Sequence, residues 1–229
     1  MKKLTVSMTD SEIKYGWIYF AVQMTVLQIF LALVNTIFGS PLSVTGLNVV
    51  YFVVNFVFSI SIFHHFLKVS FRVALKKPFR CIGYAAIGFI LYWIASALIG
   101  NLFQWIRPGF SNINDDTIVI MLRERPVLIG VGVVLLVPVS EELVFRGLIF
   151  RPLYNRSPWL GYGVSVFGFS IIHILGYLGK AEPLVLLLCF IQYLPAAFCL
   201  AWAYARSKTI WSPVLIHTTI NLISVLIMI

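Results

Sequence analysis

The sequence predicts an all-α protein, a polytopic bundle of about seven or eight transmembrane helices with its functional site inside the bundle. The composition carries this prediction. Hydrophobic residues make up 60% of the 229 residues and charged residues only 11%, against roughly 25% in a soluble domain. The mean hydropathy is +0.96. A chain of this composition uses the bilayer as its solvent, which excludes a disordered chain and argues against a soluble globular domain.

Seven apolar runs, each close to the ~20 residues that a helix needs to cross a bilayer, are the predicted spans of a single integral-membrane domain over 1–229. The first run is too long for the apolar part of a signal peptide and no small-residue cleavage site follows it, so we interpret it as a retained helix. The polar stretch 104–126 is predicted to hold an interfacial helix at most. The predicted spans are 17–38, 47–67, 82–103, 127–150, 160–178, 183–205 and 210–229.

Lysine and arginine are unevenly distributed between the loops. With the N-terminus in the cytoplasm, 13 of the 17 fall on the cytoplasmic side and 4 on the outer side. Cytoplasmic loops carry an excess of these residues, so we predict a bacterial cell-membrane protein with its N-terminus in the cytoplasm and its C-terminus outside. The net charge of +9 then needs no nucleic-acid partner. The cytoplasmic set is Lys2, Lys3, Lys14, Lys68, Arg72, Lys76, Lys77, Arg80, Arg146, Arg151, Arg156, Arg206 and Lys208.

Two adjacent glutamates interrupt the fourth run. Glu142 and Arg146 are four residues apart, so on a helix they can form a structural ion pair. Glu141 lies ~100° round the helix and is left without that partner. An ionisable group inside a span costs on the order of 2.5–3.5 kcal/mol, and its default interpretation is functional. Glu141 is therefore the candidate general base. The alternative is that both glutamates only pair with Arg146 or Arg151 to hold the packing.

The residues just before the glutamates predict an interruption of the helix. Pro138 is expected to break or kink the span. Ser140 is expected to cap the half-helix that follows, whose positive end would stabilise the Glu141 carboxylate.

Two later spans also contain polar residues. His173 lies in the fifth span, in a segment rich in small residues that marks a face where another backbone can approach closely. His217 and Asn221 are four residues apart in the seventh span and project from one helical face, where they can stabilise an oxyanion or act as interhelical hydrogen-bonding groups. At ~1.5 Å per residue these side chains and Glu141 fall in one slab of the bilayer, so they can converge on one site.

Three motifs on three separate apolar segments together form one signature, which covers about 80 residues. They are Glu141-Glu142-x-x-x-Arg146, Phe169-x-x-x-His173 and His217-x-x-x-Asn221. This combination resembles the CAAX-protease and bacteriocin-processing family (CPBP, or Abi), which is related to the Rce1 prenyl-protein endopeptidases. The resemblance places the catalytic core at about 127–229. Outside the motifs, the first 125 residues match the family only in being hydrophobic helices.

The resemblance implies an intramembrane glutamate endopeptidase with no cofactor. Glu141 would activate a water with help from His173, and His217 and Asn221 would stabilise the oxyanion. The structural ion pair would hold the site. The implied partners are the lipid bilayer and a peptide or membrane-associated protein substrate, as in bacteriocin or pheromone processing or self-immunity. The oligomeric state is not readable from the sequence.

Alternatives to this interpretation remain. Glu141, His173 and His217 can supply three ligands to a zinc ion, although no HExxH helix is present. The chain can also be a non-catalytic membrane scaffold or immunity protein that regulates a partner membrane protein. A small transporter with a Glu/His proton relay is a third possibility, but the paired broken helices typical of transporters are absent from the sequence pattern.

Overall fold

The computed structural model describes residues 3–229, and all the regular elements within them are helices. The predicted all-α class, a polytopic helical bundle, is confirmed. The helices are α1 (Asp10–Thr25), α2 (Leu27–Ile37), α3 (Val44–Ile62), α4 (His64–Lys76), α5 (Pro78–Ile106), α6 (Ile113–Glu124), α7 (Pro126–Arg156), α8 (Pro158–Leu175), α9 (Pro183–Ser207) and α10 (Trp211–Met228).

Six of these helices are long and apolar enough to cross a bilayer, or seven spans result if the bent pair of α1 and α2 counts as one. The count agrees with the lower end of the expected seven or eight. Residues 3–229 contain no further helix of that length and hydropathy. The 12 residues of α6 are well short of the ~20 that a span requires, so the stretch 104–126 holds only a short helix, as expected.

The first predicted span, 17–38, is not one continuous helix. Helix α1 begins earlier, at Asp10, where Thr9 and Glu12 form a reciprocal capping box. It ends at Thr25, and α2 leaves at an angle of 56°. The Thr25 hydroxyl donates to the Ala21 carbonyl at 2.7 Å, a back-bond that bends helices. Apolar composition marks the whole run but does not show where it bends.

At the end of the bundle where most of the lysines and arginines lie, the ends of several helices are joined by hydrogen bonds. The Arg80 guanidinium donates to the Arg206 carbonyl, and the hydroxyls of Ser70 and Thr209 lie 3.1 Å apart. At the opposite end an ion pair of 2.6 Å joins Arg107 after α5 to Glu182 before α9. Lys2, one of the residues assigned to the cytoplasmic side, lies outside the described residues. Which end faces the cytoplasm stays a prediction.

The small residues of α8 form a packing face, as predicted. A Cβ added to Gly161 would lie 2.8 Å from the backbone nitrogen and Cα of Tyr154 in α7. One turn further along, the Ser165 hydroxyl donates to the Phe145 carbonyl at 3.1 Å. The close approach brings α8, and with it His173, against the helix that carries both glutamates.

This packing predicts opposite outcomes for two neighbouring glycines. Gly161→Ala forces α7 and α8 apart and is expected to cost about 1–3 kcal/mol of stability, seen as a lower thermal midpoint in detergent. Gly163→Ala is the matched control, because nothing lies within 4 Å of an added Cβ there. Equal midpoints for the two variants would contradict the close approach.

Candidate active site

A cavity of about 800 Å³, which we call the chamber, opens among the helices at the level of the candidate residues. The side chains of Glu141, His173, His217 and Asn221 all line it. The structure therefore brings together the four residues that the sequence singled out on α7, α8 and α10. Much of the remaining wall is also polar, which is unusual inside a membrane protein and marks a functional cavity. Its amide side chains are those of Gln23, Gln28, Asn48, Asn55, Asn112, Asn114 and Gln192.

Glu142 and Arg146 form an ion pair with no solvent exposure. The Arg146 Nε lies 3.1 Å from the Glu142 Oε2, and both side chains are 0% exposed. A second guanidinium nitrogen, Nη2, donates to the Ala197 carbonyl of α9 at 3.2 Å. The Arg146 guanidinium also lies over the Phe169 ring, 4.5 Å from its centroid. The pair thus connects α7 to α8 and α9.

His217 lies between the two glutamates, a contact that the sequence analysis did not predict. Its Nδ1 is 3.0 Å from the Glu142 Oε1 and its Nε2 is 3.8 Å from the Glu141 Oε2. Because a carboxylate only accepts, the hydrogen bond places a proton on Nδ1. The opposite nitrogen then faces Glu141 at a distance too long for a direct hydrogen bond. His217 and Glu142 are 75 positions apart in the sequence, so no local pattern predicts this contact.

His173 is oriented by its own helix. Its Nδ1 lies 2.8 Å from the Phe169 carbonyl, which only accepts, so Nδ1 carries the proton and Nε2 a lone pair. The ring stacks on Tyr193 at 4.2 Å between centroids and packs against Phe169 at 4.7 Å. The Phe169 ring also meets the His217 ring edge to face at 5.8 Å. Phe169, read from the sequence only as part of a motif, separates both histidines from Arg146.

Asn221 uses one of its two amide hydrogens for a structural hydrogen bond. Its Nδ2 donates to the Val133 carbonyl at 2.8 Å. That carbonyl lies within a π-helical turn, Gly132–Leu136, and Pro138 has no N–H with which to continue the pattern. The Asn221 amide replaces the missing backbone donor. Its other N–H and its oxygen remain available on the chamber side.

The expected break at Pro138 is wrong. Helix α7 continues past it from Pro126 to Arg156, with a π-helical turn before the glutamates and another, Leu143–Phe150, after them. Ser140 does not cap a half-helix either. Its hydroxyl donates to the Leu136 carbonyl at 3.0 Å and lies 3.0 Å from the Ser59 hydroxyl of α3. The widened turn and the Asn221 side chain compensate for the proline, so the helix need not end.

Glu141 differs from Glu142 in its solvent exposure and in its hydrogen-bond partners. Its side chain is 17% exposed and lines the chamber, whereas Glu142 is 0% exposed. The Oε2 of Glu141 is buried and has no hydrogen-bond partner among the described residues. A buried carboxylate oxygen without a donor is ready to accept a proton or a hydrogen bond from a bound molecule.

A metal ligand set does not form around these residues. Residues 3–229 contain no group of three His, Cys, Asp or Glu side chains arranged to hold a metal ion. Each histidine makes its hydrogen bond through Nδ1, so Nε2 is the nitrogen that each ring leaves for a bound molecule.

A second carboxylate of the chamber, Asp115 of α6, was not singled out by the sequence analysis. Burial raises the pKa of the Asp115 carboxyl to about 6, the charge of Asp116 raises it further, and the Tyr193 hydroxyl opposes both effects. The sequence signal was weak, because an acidic residue in the first turn of a helix is usual.

Comparison with known proteins shows that part of the chain is similar to membrane endopeptidases. Residues 123–223 match the family model described as "Type II CAAX prenyl endopeptidase Rce1-like". The chain is similar to the Bacillus subtilis (strain 168) protein named "Putative membrane peptidase YdiL", with 29% identity over 140 residues, which are 60% of this chain and 52% of that protein. It is also similar to the UPF0177 protein YxdF of Lactococcus lactis subsp. lactis (strain IL1403), with 23% identity over 138 residues, which are 59% of this chain and 71% of that protein.

Residues 123–223 thus match the Rce1-like CAAX endopeptidase model, and the resemblance noted from the three motifs is confirmed. The matched segment contains both glutamates, both histidines and Asn221. The match spans about half the length of YdiL. No solved structure matches the chain.

The buried pair predicts a strong dependence of folding on both partners. Glu142→Gln or Arg146→Met leaves an unpaired charge inside the membrane and is expected to cost about 3–5 kcal/mol. The double variant should recover part of the loss, because neither charge is left alone. The measurement is the yield and thermal midpoint of purified protein. Glu182→Gln, at the exposed ion pair, should leave both unchanged. Additive losses in the double variant would contradict the coupling.

Asp115 predicts a pH-dependent gain in stability on neutralisation. Its pKa of about 6 in the folded protein lies above the usual value near 4, so the folded protein loses stability as the pH rises from about 4 to about 6 and gains none of it back above that range. Asp115→Asn should therefore raise the thermal midpoint by a few degrees at pH 8 and hardly change it at pH 3, where the native side chain is protonated in the folded and in the unfolded chain. A midpoint difference that is the same at both pH values would contradict this assignment.

Proposed function

We propose that the chain is an intramembrane endopeptidase that cleaves a peptide or a membrane-associated protein with a water molecule activated by Glu141. The observation that carries the proposal is the contrast between two adjacent carboxylates. Glu142 is shared by Arg146 and His217, whereas Glu141 faces a polar chamber with one oxygen unpaired. If both carboxylates only held the packing, both would be paired. A free carboxylate beside two histidines is instead suited to proton transfer.

The first step is attack of water on the peptide carbonyl carbon. Glu141 accepts one proton from the water as its oxygen forms the new bond to carbon. The lone pair on the His173 Nε2 serves as a second acceptor that orients the water. The 3.8 Å between the Glu141 Oε2 and the His217 Nε2 is close enough for one bound molecule to contact both atoms.

The negative charge that develops on the carbonyl oxygen requires donors on the opposite side. Asn221 supplies the amide N–H that Val133 does not use. His217 becomes a donor through Nε2 when its ring is protonated, and the two glutamates on either side of the ring stabilise that imidazolium. Donors of this kind typically contribute ~10²–10³ in rate.

The second step transfers the proton held by Glu141 to the nitrogen of the departing amine. The carbon–nitrogen bond then breaks, and the products are a carboxylic acid and an amine. Glu141 returns to its ionised form. All the groups in this scheme belong to the chain or the water, so the scheme balances with no cofactor.

The names of the similar proteins support a peptide bond as the target. The family model is that of a CAAX prenyl endopeptidase, and the name of YdiL describes a membrane peptidase. Because the match covers only half of YdiL, the transfer of this activity is part of the proposal. Processing of a bacteriocin or pheromone, or self-immunity, remains an expectation from the family resemblance.

The decisive test is the removal of the Glu141 charge with little change in shape. Native protein and Glu141→Gln are reconstituted in liposomes and incubated with peptides from a chymotryptic digest of bacterial membrane proteins. New peptide ends are identified by mass spectrometry. Glu141→Gln is expected to lower the rate at every cleaved bond by at least ~10²-fold, because the general base is lost.

Glu182→Gln is the matched control, since it removes a glutamate charge at the surface, from a residue that does not line the chamber. It should cleave like the native protein. If the native protein and Glu141→Gln generate the same ends at the same rate, catalysis by Glu141 is wrong. The non-catalytic scaffold would then be the better interpretation.

A further inference from the structure

Asp115 lies in the first turn of α6, half-buried and facing the chamber. Its neighbour Asp116 is exposed and accepts a hydrogen bond from the Ser111 hydroxyl at 2.7 Å. Asp116 therefore suffices to complement the dipole of the helix. Within residues 3–229 Asp115 has no ion-pair partner. The ionised carboxylate of Asp115 destabilises the folded protein, so its presence in the chamber calls for a role other than folding.

Tyr193 connects Asp115 to the proposed catalytic residues. Its ring stacks on the His173 ring, and its hydroxyl end lies close enough to Asp115 to influence that carboxyl. The hydroxyl is buried and makes no hydrogen bond of good geometry among the described residues, although Asp115 and Asn114 lie near it. Buried hydroxyls are almost always paired, so an unpaired one that lines a cavity points to a bound molecule. An acidic side chain and an idle hydroxyl thus stand side by side in the chamber wall.

The balance of charge in the chamber favours a cation. With its two histidines neutral, the charged groups of its lining are two carboxylates, those of Asp115 and Glu141, and one ammonium group, that of Lys180. The Lys180 Nζ donates to the carbonyl of Gly176, in its own loop, at 2.9 Å. A carboxylate in a partly desolvated cavity attracts a positive charge much more strongly than one in bulk water.

We propose that Asp115 is a specificity residue that binds a lysine or arginine side chain of the peptide substrate, with the Tyr193 hydroxyl as a second contact. The inference rests on the proposed function and extends it to the substrate class. Only one tyrosine side chain separates Asp115 from His173. Because an extended peptide advances about 3.3–3.6 Å per residue, the basic residue lies about one to three positions from the cleaved bond.

The test starts from the peptides that the native protein cleaves. The best-cleaved peptide with a lysine close to the cleaved bond is resynthesised with norleucine in its place, which keeps the length of the side chain and removes the charge. The native protein is expected to prefer the lysine peptide about 10-fold or more in kcat/KM, mainly through a lower KM. A charge-assisted hydrogen bond worth that factor is ordinary.

Three variants separate the role of Asp115 from a general loss of function. Asp115→Asn should reduce the preference to about 2-fold or less. Asp115→Lys should disfavour the lysine peptide, because like charges repel. Glu182→Gln should keep the native preference.

The two proposals fail in different ways. Cleavage that depends on Glu141 but shows no preference for lysine, or a preference that survives in Asp115→Asn, overturns the role of Asp115 alone. An absence of any Glu141-dependent cleavage overturns the proposed function itself.

Discussion

The site depends on the fully buried carboxylate of Glu142 and on the contacts that its two oxygens make. A charge at this depth is costly, and it is stabilised only where both of its oxygens find charged or hydrogen-bonding partners. Here the two oxygens are divided between Arg146 on the same helix and His217 on α10. The carboxylate therefore does more than neutralise the arginine. It determines which nitrogen of His217 carries the proton and turns the other toward Glu141.

The same pair explains why Phe169 lies beside both histidines. The Arg146 guanidinium rests on the Phe169 ring, and the carbonyl of that phenylalanine accepts from His173. The Arg146 charge on α7 thus orients the Phe169 ring on α8. The backbone carbonyl of Phe169 in turn orients His173, one turn further along α8. Both histidines present Nε2 toward the chamber side as a result. Such a chain of contacts makes the geometry of the site a property of three helices together.

Helix α7 shows how a proline can lie beside a site without interrupting its helix. The π-helical turns on both sides of the glutamates change the direction of the side chains relative to a regular helix. One carbonyl that the proline leaves without a donor is bonded by Asn221. The asparagine therefore connects α7 to α10 and still exposes polar atoms to the chamber. Structural and proposed catalytic roles coexist in one side chain because an amide has two N–H groups.

The sequence by itself determined the all-α class, the spans after the first to within a few residues and the difference in pairing between Glu141 and Glu142. Hydropathy and an i, i+4 pair are local features, which is why these inferences held. Only the tertiary structure decided that α1 bends after Thr25, that α7 passes Pro138 unbroken and that His217 bridges the glutamates. It also brought Asp115 and Tyr193 to the chamber. These outcomes depend on which helices become neighbours, and the physical reason is that polar groups in a membrane must find partners across helices that no spacing along the chain specifies.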